Sequence, residues 1–455
     1  MMSRNMKKTM FLFAVAAMLC YACNVQVQNP DPKNTETHDW GNGNGNDVAV
    51  ELRLTAQQQQ MLEKSNDFSL NLLRQAYANE TEHENVIISP LSASMALSML
   101  ANGADGETLN QVKDALGFGE WSDEDVNEFN KLMMNALPRL DTCTRMTLAN
   151  SLWLQTGFPV KDDFVNINKL SFNAEVQNVD FTDPATADLI NKWAADHTND
   201  LIKKVVSADM IAECVTLLAN ALYFKGIWAD KFDKELTQEM DFTSSKKVVQ
   251  RVDMMCKQGD MKYRYLSDKK AQLLELDYLG GAYCMDILLP AEDTDIPTLL
   301  SKISADEMHT WEDKYWPEIE TWVYDIDKEE EVAMTVRRLE EVKVQMPKFT
   351  LRYERELNDD LKALGMKDMF SASVANFSRL SKIPTYVSFV KQNTFMSVDE
   401  AGTEAAAVTV IGVAGISEIE PKIPEMYMNR PFVLFIREKQ FGTILFGGVI
   451  GNPNK

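Results

Sequence analysis

The sequence predicts an α+β fold, and three observations carry that prediction. Helix-like and strand-like segments are interspersed from about Met61 to the C-terminus without the regular βα alternation of a parallel sheet. The composition, 45% hydrophobic and 25% charged, is that of a globular chain with a sizeable core. No low-complexity break interrupts residues 51–455, which therefore read as one domain.

The chain opens on a segment to be set apart from the fold. Arg4, Lys7 and Lys8 precede the short apolar run Met10–Cys20, the pattern of an export signal too short to span a bilayer. The run ends LCYAC, which resembles a bacterial lipoprotein signal over residues 1–22, with Cys23 as the acylated N-terminus. Cys20 stands where that motif usually has leucine, and a plain signal-peptidase site is the alternative. Residues 23–50 are rich in Asn, Gly and Pro and read as a flexible tether. The expected location is the cell envelope, through a lipid on Cys23, at the outer-membrane surface or released from it.

Helix-like spacing then runs over Met61–Ala78, through Leu62, Phe68, Leu70, Leu72, Leu73 and Tyr77. Ser89 and Pro90 read as a helix start, because the serine can cap and the proline lacks only an N–H that the first turn leaves unused. Small residues at Ser92, Ala93, Ser94, Ala96 and Ser98 would let that helix pack closely on a sheet. Strands are expected at Thr147–Leu154, Cys214–Phe224, Leu273–Leu276, Tyr283–Leu289, Glu341–Met346 and Phe432–Ile436. The charge-rich stretch Trp311–Val344 reads as a solvated loop.

Charge and motifs narrow the function. A formal charge of -22 and a pI near 4.7, without a basic cluster, argue against nucleic acid as a partner. The four histidines form no close ligand pair, and Cys143, Cys214, Cys256 and Cys284 are irregularly spaced, so neither a metal site nor a cofactor is expected. Neither a GxSxG elbow nor a P-loop occurs, and His197 reads as a helix-end residue rather than a catalytic base. An enzyme is not expected. The remaining puzzle is GTEAAAVTVIGVAG (Gly402–Gly415), a low-charge, proline-free strand pattern that would be an aggregation hazard if exposed without purpose.

Six segments, in order, resemble the serpin family: NVIISPLSASMALSMLANGADGETLNQVKDALGF (Asn85–Phe118), LANSLWLQTGFPV, INKWAADHTNDLIKKVV, LLANALYFKGIWADKF, the hinge within the puzzling stretch, and NRPFVLFIREKQFGTILFGGVIGNP (Asn429–Pro453). The resemblance implies three β-sheets, about nine helices and an exposed reactive-centre loop. It further implies an irreversible suicide-substrate inhibitor of serine proteases, whose cleaved loop inserts as a central strand before the acyl-enzyme is resolved. Glu400, Gly402, Thr403, Glu404, Ala405, Ala406, Ala407 and Val408 match the hinge, although Val408 stands where a small residue is usual. The family's spacing from the hinge glutamate places the bait bond between Ile416 and Ser417, within a segment whose downstream run is longer than is usual.

The residues fit that mechanism. Alternate positions Thr403, Ala405, Ala407, Thr409, Ile411 and Val413 are small or apolar, as the buried face of an inserted strand requires, while Glu404 falls on the other face. No proline lies between Glu400 and Glu420. An isoleucine before the bait bond suits an elastase-like primary pocket, and papain-type cysteine proteases are a further target class. The resemblance implies a gating cluster of Ser89, Ser92, Asn220 and Gln392, the last standing where many serpins have histidine, and an insertion entrance at Trp228. Acidic Ser122–Leu137 occupies the place of a heparin-binding helix, so no heparin is expected. The expected partners are target proteases and a membrane through the lipid, with the chain as a monomer. A non-inhibitory serpin serving as a carrier is the alternative, and a lipid-anchored hydrolase or glycan-binding module a remote one.

Overall fold

The computed structural model describes residues 49–81, 84–325, 330–402 and 423–455. The readings made for Cys23 and for residues 403–422 lie outside them. The described residues contain helices α1 (Ala56–Ala78), α2 (Pro90–Ala101), α3 (Gly106–Ala115), α4 (Asp123–Ala136), α5 (Asp162–Phe172) and α6 (Pro184–His197). The shorter α7 (Ala208–Ile211), α8 (Ile296–Lys302), α9 (Ala305–Met308), α10 (Trp311–Tyr315) and α11 (Asn358–Ala363) follow. Eleven rather than about nine helices result, because α7 and α9 are single turns with no periodicity to read. Helix α1 begins at Ala56, not Met61: Thr55 and Gln58 form a reciprocal capping box ahead of a glutamine run that carries no apolar spacing.

Three sheets organise the larger of two compact units. The first is split into a three-stranded part, β3 (Glu175–Val179), β2 (Arg145–Gln155) and β4 (Thr216–Lys225), and a two-stranded part, β12 (Phe349–Glu356) and β13 (Lys391–Val398). The second runs β1 (Asn85–Ile88), β16 (Ile444–Ile450), β15 (Phe432–Glu438), β8 (Tyr283–Pro290), β7 (Ala271–Asp277) and the C-terminal end of β6 (Val249–Leu266). The third uses the rest of β6, flanked by β5 (Gln238–Thr243) and by β11 (Glu340–Pro347), which pairs in turn with β14 (Glu425–Tyr427). All six predicted strands are present, each within a residue or two of its reading at either end.

Helix α2 joins the first two sheets. It has no charged residue and buries eleven of its twelve residues, touching β4 on one side and β16 on the other. A helix apolar and small all round can only be buried. Its start is as the sequence predicts: Ser89 accepts from the Ser92 N–H at 3.3 Å, and Pro90 opens the first turn.

Residues 312–338 form a unit of their own. Strands β9 (Glu318–Asp325) and β10 (Glu330–Arg337) make an antiparallel hairpin with Glu318 opposite Arg337, which corrects the expected solvated loop. The alternation in EIETWV is the strand signal that the charge count concealed.

Candidate functional site: a split sheet and its hinge

Among the described residues, strands β4 and β13 are not paired with one another; β4 ladders to β2, and β13 to β12. Between them lies a cleft of about 320 Å³, far larger than a packing void, so the two strands stand genuinely apart. Residues 213–222 form one wall and 384–394 the other, with α2 on one face and Ile190, Trp193 and Ala194 of α6 on the opposite face. Several polar atoms in this lining are buried without a partner among the described residues: the Trp193 indole N–H and the hydroxyls of Thr216 and Thr385.

The N-terminus of α2 fastens both halves of the sheet. On the β13 side, the Gln392 amide closes on the backbone of Ser89, accepting from its N–H at 2.9 Å and donating to its carbonyl at 2.8 Å. The Ser89 hydroxyl donates to the Leu445 carbonyl of β16 at 2.9 Å. On the β4 side, the Ser92 hydroxyl donates to Asn220, whose amide donates to Asn150 of β2 at 2.7 Å. Asn150 in turn donates to the Phe172 carbonyl at 2.9 Å. All four predicted gating residues are therefore brought together, as two ties on one helix end rather than as a single cluster. Asn150 was not anticipated; an asparagine inside a strand gives no local clue to a partner 70 residues away.

At the upper end of the cleft the chain turns tightly through Asp399–Gly402. Asp399 and Gly402 exchange backbone hydrogen bonds at 2.9 and 3.2 Å, and Gly402 also bridges to Ile227, just beyond β4. Gly402 has φ +130°, and a Cβ there would stand 2.5 Å from the Gly226 carbonyl oxygen, so only glycine fits. Trp228 is 1% exposed and stacks on Tyr278 at 4.6 Å. Its backbone N–H donates to the Ala401 carbonyl at 2.9 Å and its indole to the Asp399 carbonyl at 3.0 Å. Trp228 thus packs in the core and grips the Asp399–Gly402 turn at once.

Glu400 is the electrostatic anchor. It is 3% exposed, accepts from Thr237 at 2.8 Å and pairs with Lys348 at 3.0 Å. Burial works against its charge, but bonds from backbone, Lys348 and Thr237 outweigh it and hold the carboxyl below the usual range. Thr237 and Lys348 were not legible in sequence, because each reaches the hinge from another strand region.

A split sheet beside a pinned hinge, with about twenty residues between Gly402 and the next strand, is an arrangement that can be compared with known proteins. A model of the family described as Serpin (serine protease inhibitor) matches residues 63–453. The chain belongs to the serpin family. Human neuroserpin is 33% identical over 396 residues, covering 85% of this chain and 90% of its own. An uncharacterized serpin-like protein of Methanosarcina acetivorans is 31% identical, covering 86% and 87%. Among solved structures, the thermophilic serpin tengpin in its native state has a TM-score of 0.73 at 28% identity, over 89% of this chain and 96% of that one.

Other sites in this serpin have structural explanations. His197 ends α6, with its ring 4.7 Å from Trp193, Nδ1 2.8 Å from the Trp193 carbonyl and Nε2 3.1 Å from the Glu175 carboxylate. Glu275, Cys284 and Asp286 bring potential ligand atoms within 4.8 Å of one another. The fully buried Arg437 guanidinium pairs with both carboxylates at 2.6 Å and fills that charge requirement. Burial pushes the Cys284 thiol well up, so it is not a reactive thiolate. All four cysteines of the described residues are free.

Proposed function

We propose that this serpin is a suicide-substrate inhibitor of serine proteases of elastase-like specificity, with papain-type cysteine proteases as a further target class. The observation that carries the reading is the register already present at the top of the cleft. Extended along β13 and the residues that precede it, the Asp399–Gly402 pairing would set Thr409 opposite Gln392 and Ile416 opposite Thr385. Extended along β4, the Ile227–Gly402 bridge would set Thr409 opposite Asn220 and Ile416 opposite Glu213. The two registers are separate observations, and they agree.

Both support the strand and the bond read from sequence. Gln392 and Asn220 each belong to the gating ties at α2, so Thr409 would bring a hydroxyl between two polar side chains rather than an apolar group. The exchange of hydrogen bonds between Asp399 and Gly402 makes theirs a narrow pair, so Ser397, Phe395, Asn393 and Lys391 turn their backbone groups into the cleft. The Val390 carbonyl, of opposite parity, is already taken by the Leu357 N–H at 2.7 Å on the far side. The walls end at Glu213 and Pro384, which fall opposite Ile416 and Ser417. The cleft is therefore as long as the strand that cleavage after Ile416 would release.

The chemistry follows. Attack on the Ile416 carbonyl by the target's nucleophile forms the acyl-enzyme and breaks the Ile416–Ser417 bond, with the Ser417 amine leaving. Insertion ahead of deacylation would carry the bound protease along with the strand. The driving free energy would come from the ladder that the inserted strand forms with β4 and β13, held back until the cut. A lipid on Cys23 would keep the inhibitor at a membrane surface; support for it is the basic, apolar and Ala22–Cys23 pattern alone, and the mass of the mature N-terminus tests it.

The test is to mix the protein with pancreatic elastase and follow denaturing gels, mass spectrometry and thermal unfolding. An SDS-stable adduct with a released peptide beginning at Ser417 is expected. Cleavage at that bond by a panel of serine proteases without an adduct, and without a rise in melting temperature, would overturn the reading in favour of a non-inhibitory serpin.

A further inference from the structure

We propose that one face of the β9–β10 hairpin is a docking surface for a basic protein, and that Trp322 and Glu320 together receive an arginine of that partner. It rests on described residues of the hairpin and its base, and is independent of the inhibitory reading above.

The pairing fixes the face. Side chains alternate along a strand, and the register sets Glu318 opposite Arg337, Glu320 opposite Thr335 and Trp322 opposite Ala333. These six residues share one face, and Ile319 and Val336 lie on the other. Trp153, Trp228, Trp311 and Trp316 are fully buried, whereas Trp322 is 65% exposed. Its cross-strand neighbour is an alanine and a diagonal one a threonine, neither large enough to cover an indole. Glu320 is exposed as well, one step of about 7 Å along the same face of β9.

Charge selects the partner. Residues 312–338 hold nine acidic and four basic residues, a net -5 in a segment of 27, where the whole chain of 455 carries -22. Arg337 is matched to three carboxylates at the base of the hairpin, Glu312 at 3.1 Å, Asp313 at 3.4 Å and Glu318 at 3.3 Å, so its charge is more than neutralised there. Glu320 has uncharged Thr335 across from it. A guanidinium fits such a pair: it stacks flat on an aromatic ring and gives two parallel N–H bonds to a carboxylate, whereas an ammonium offers a point charge. A second copy of this chain would bring the same negative hairpin, and nucleic acid or an anionic membrane would be repelled. The complementary surface is therefore that of a cationic protein, with acidic residues around the indole to steer it in.

The test titrates the full chain with an arginine nonapeptide by calorimetry and tryptophan fluorescence, and with a lysine nonapeptide for comparison. The variants are Trp322→Thr, which removes the ring but keeps a strand-forming residue, Trp322→Phe, Glu320→Gln and, as a control for net charge, Glu124→Gln/Glu128→Gln at exposed positions of α4. Binding of the arginine peptide should weaken about fivefold or more in Trp322→Thr, less in Trp322→Phe, about threefold in Glu320→Gln and less than about twofold in the control. The wild type should hold the lysine peptide several-fold more weakly than the arginine peptide. Thermal unfolding checks that each variant is folded, and Trp322→Phe and Glu320→Gln read the site even if Trp322→Thr loosens the hairpin. A wild type that binds neither peptide, or both equally, overturns the inference, as does a control that loses as much affinity as Trp322→Thr.

Discussion

Replacing Gln392 by alanine should destabilise the uncleaved protein by about 2–4 kcal/mol, and the figure can be built from the two bonds it makes. The Ser89 N–H, accepted by Gln392 at 2.9 Å, gains no other partner when the amide goes. A buried donor left unpaired costs about 1–3 kcal/mol. The Ser89 carbonyl keeps the Ala93 N–H at 3.1 Å, so losing the Gln392 donor there forfeits only a second bond, about 0.5–1.5 kcal/mol. Against a net stability of about 5–15 kcal/mol, the sum is large. Equilibrium urea unfolding followed by tryptophan fluorescence measures it. Gln392→Glu sharpens the test. A carboxylate still accepts from the Ser89 N–H but faces the Ser89 carbonyl with a negative charge, which with burial raises its pKa in the folded state. The variant should therefore be weakest at high pH and recover as pH falls and the carboxyl regains a proton to donate. This site in the wild type should be flat across the same range, because an amide does not titrate. An alanine variant within about 0.5 kcal/mol of wild type, or a glutamate variant with no pH slope, would refute the two-bond account of the tie.

Two further outcomes follow from the charges. Because the Glu400 carboxyl is held below its usual range, its contribution to holding the hinge should persist above about pH 4 and fade as the pH falls through the lowered value, with Lys348→Met shifting the loss to higher pH; hydrogen exchange at Ala401 and Gly402 reads it. Arg437→Met should cost about 3–5 kcal/mol in thermal unfolding, since it strips buried Asp286 of its cation and leaves Glu275 to Lys262 at 2.7 Å, while the adduct fraction per folded molecule stays at the wild-type value.

What could be read from the sequence was what is local. Ser89–Pro90 announces the start of α2 through two residues, whereas the alternation from Thr403 to Val413 falls outside the described residues. Gln392 and Asn220 were placed by resemblance rather than by chemistry, and neither position says that the ties run through different residues of α2. The hinge shows the limit most clearly. Glu400 was read as a hinge residue by resemblance alone, and its contacts come from Lys348 and Thr237, 52 and 163 residues earlier, where nothing marks either as an anchor. The β9–β10 hairpin failed for the opposite reason: its strand alternation was present, but a count of charges overrode it. The register itself could not have come from the sequence, because a strand pattern fixes which side chains share a face and not which neighbours they meet. Only the two bridges at Gly402 fix that. Carried along the cleft, they would give the loop residues named opposites, Gln392 and Asn220 for Thr409 among them, which the alternation of small residues alone could not supply.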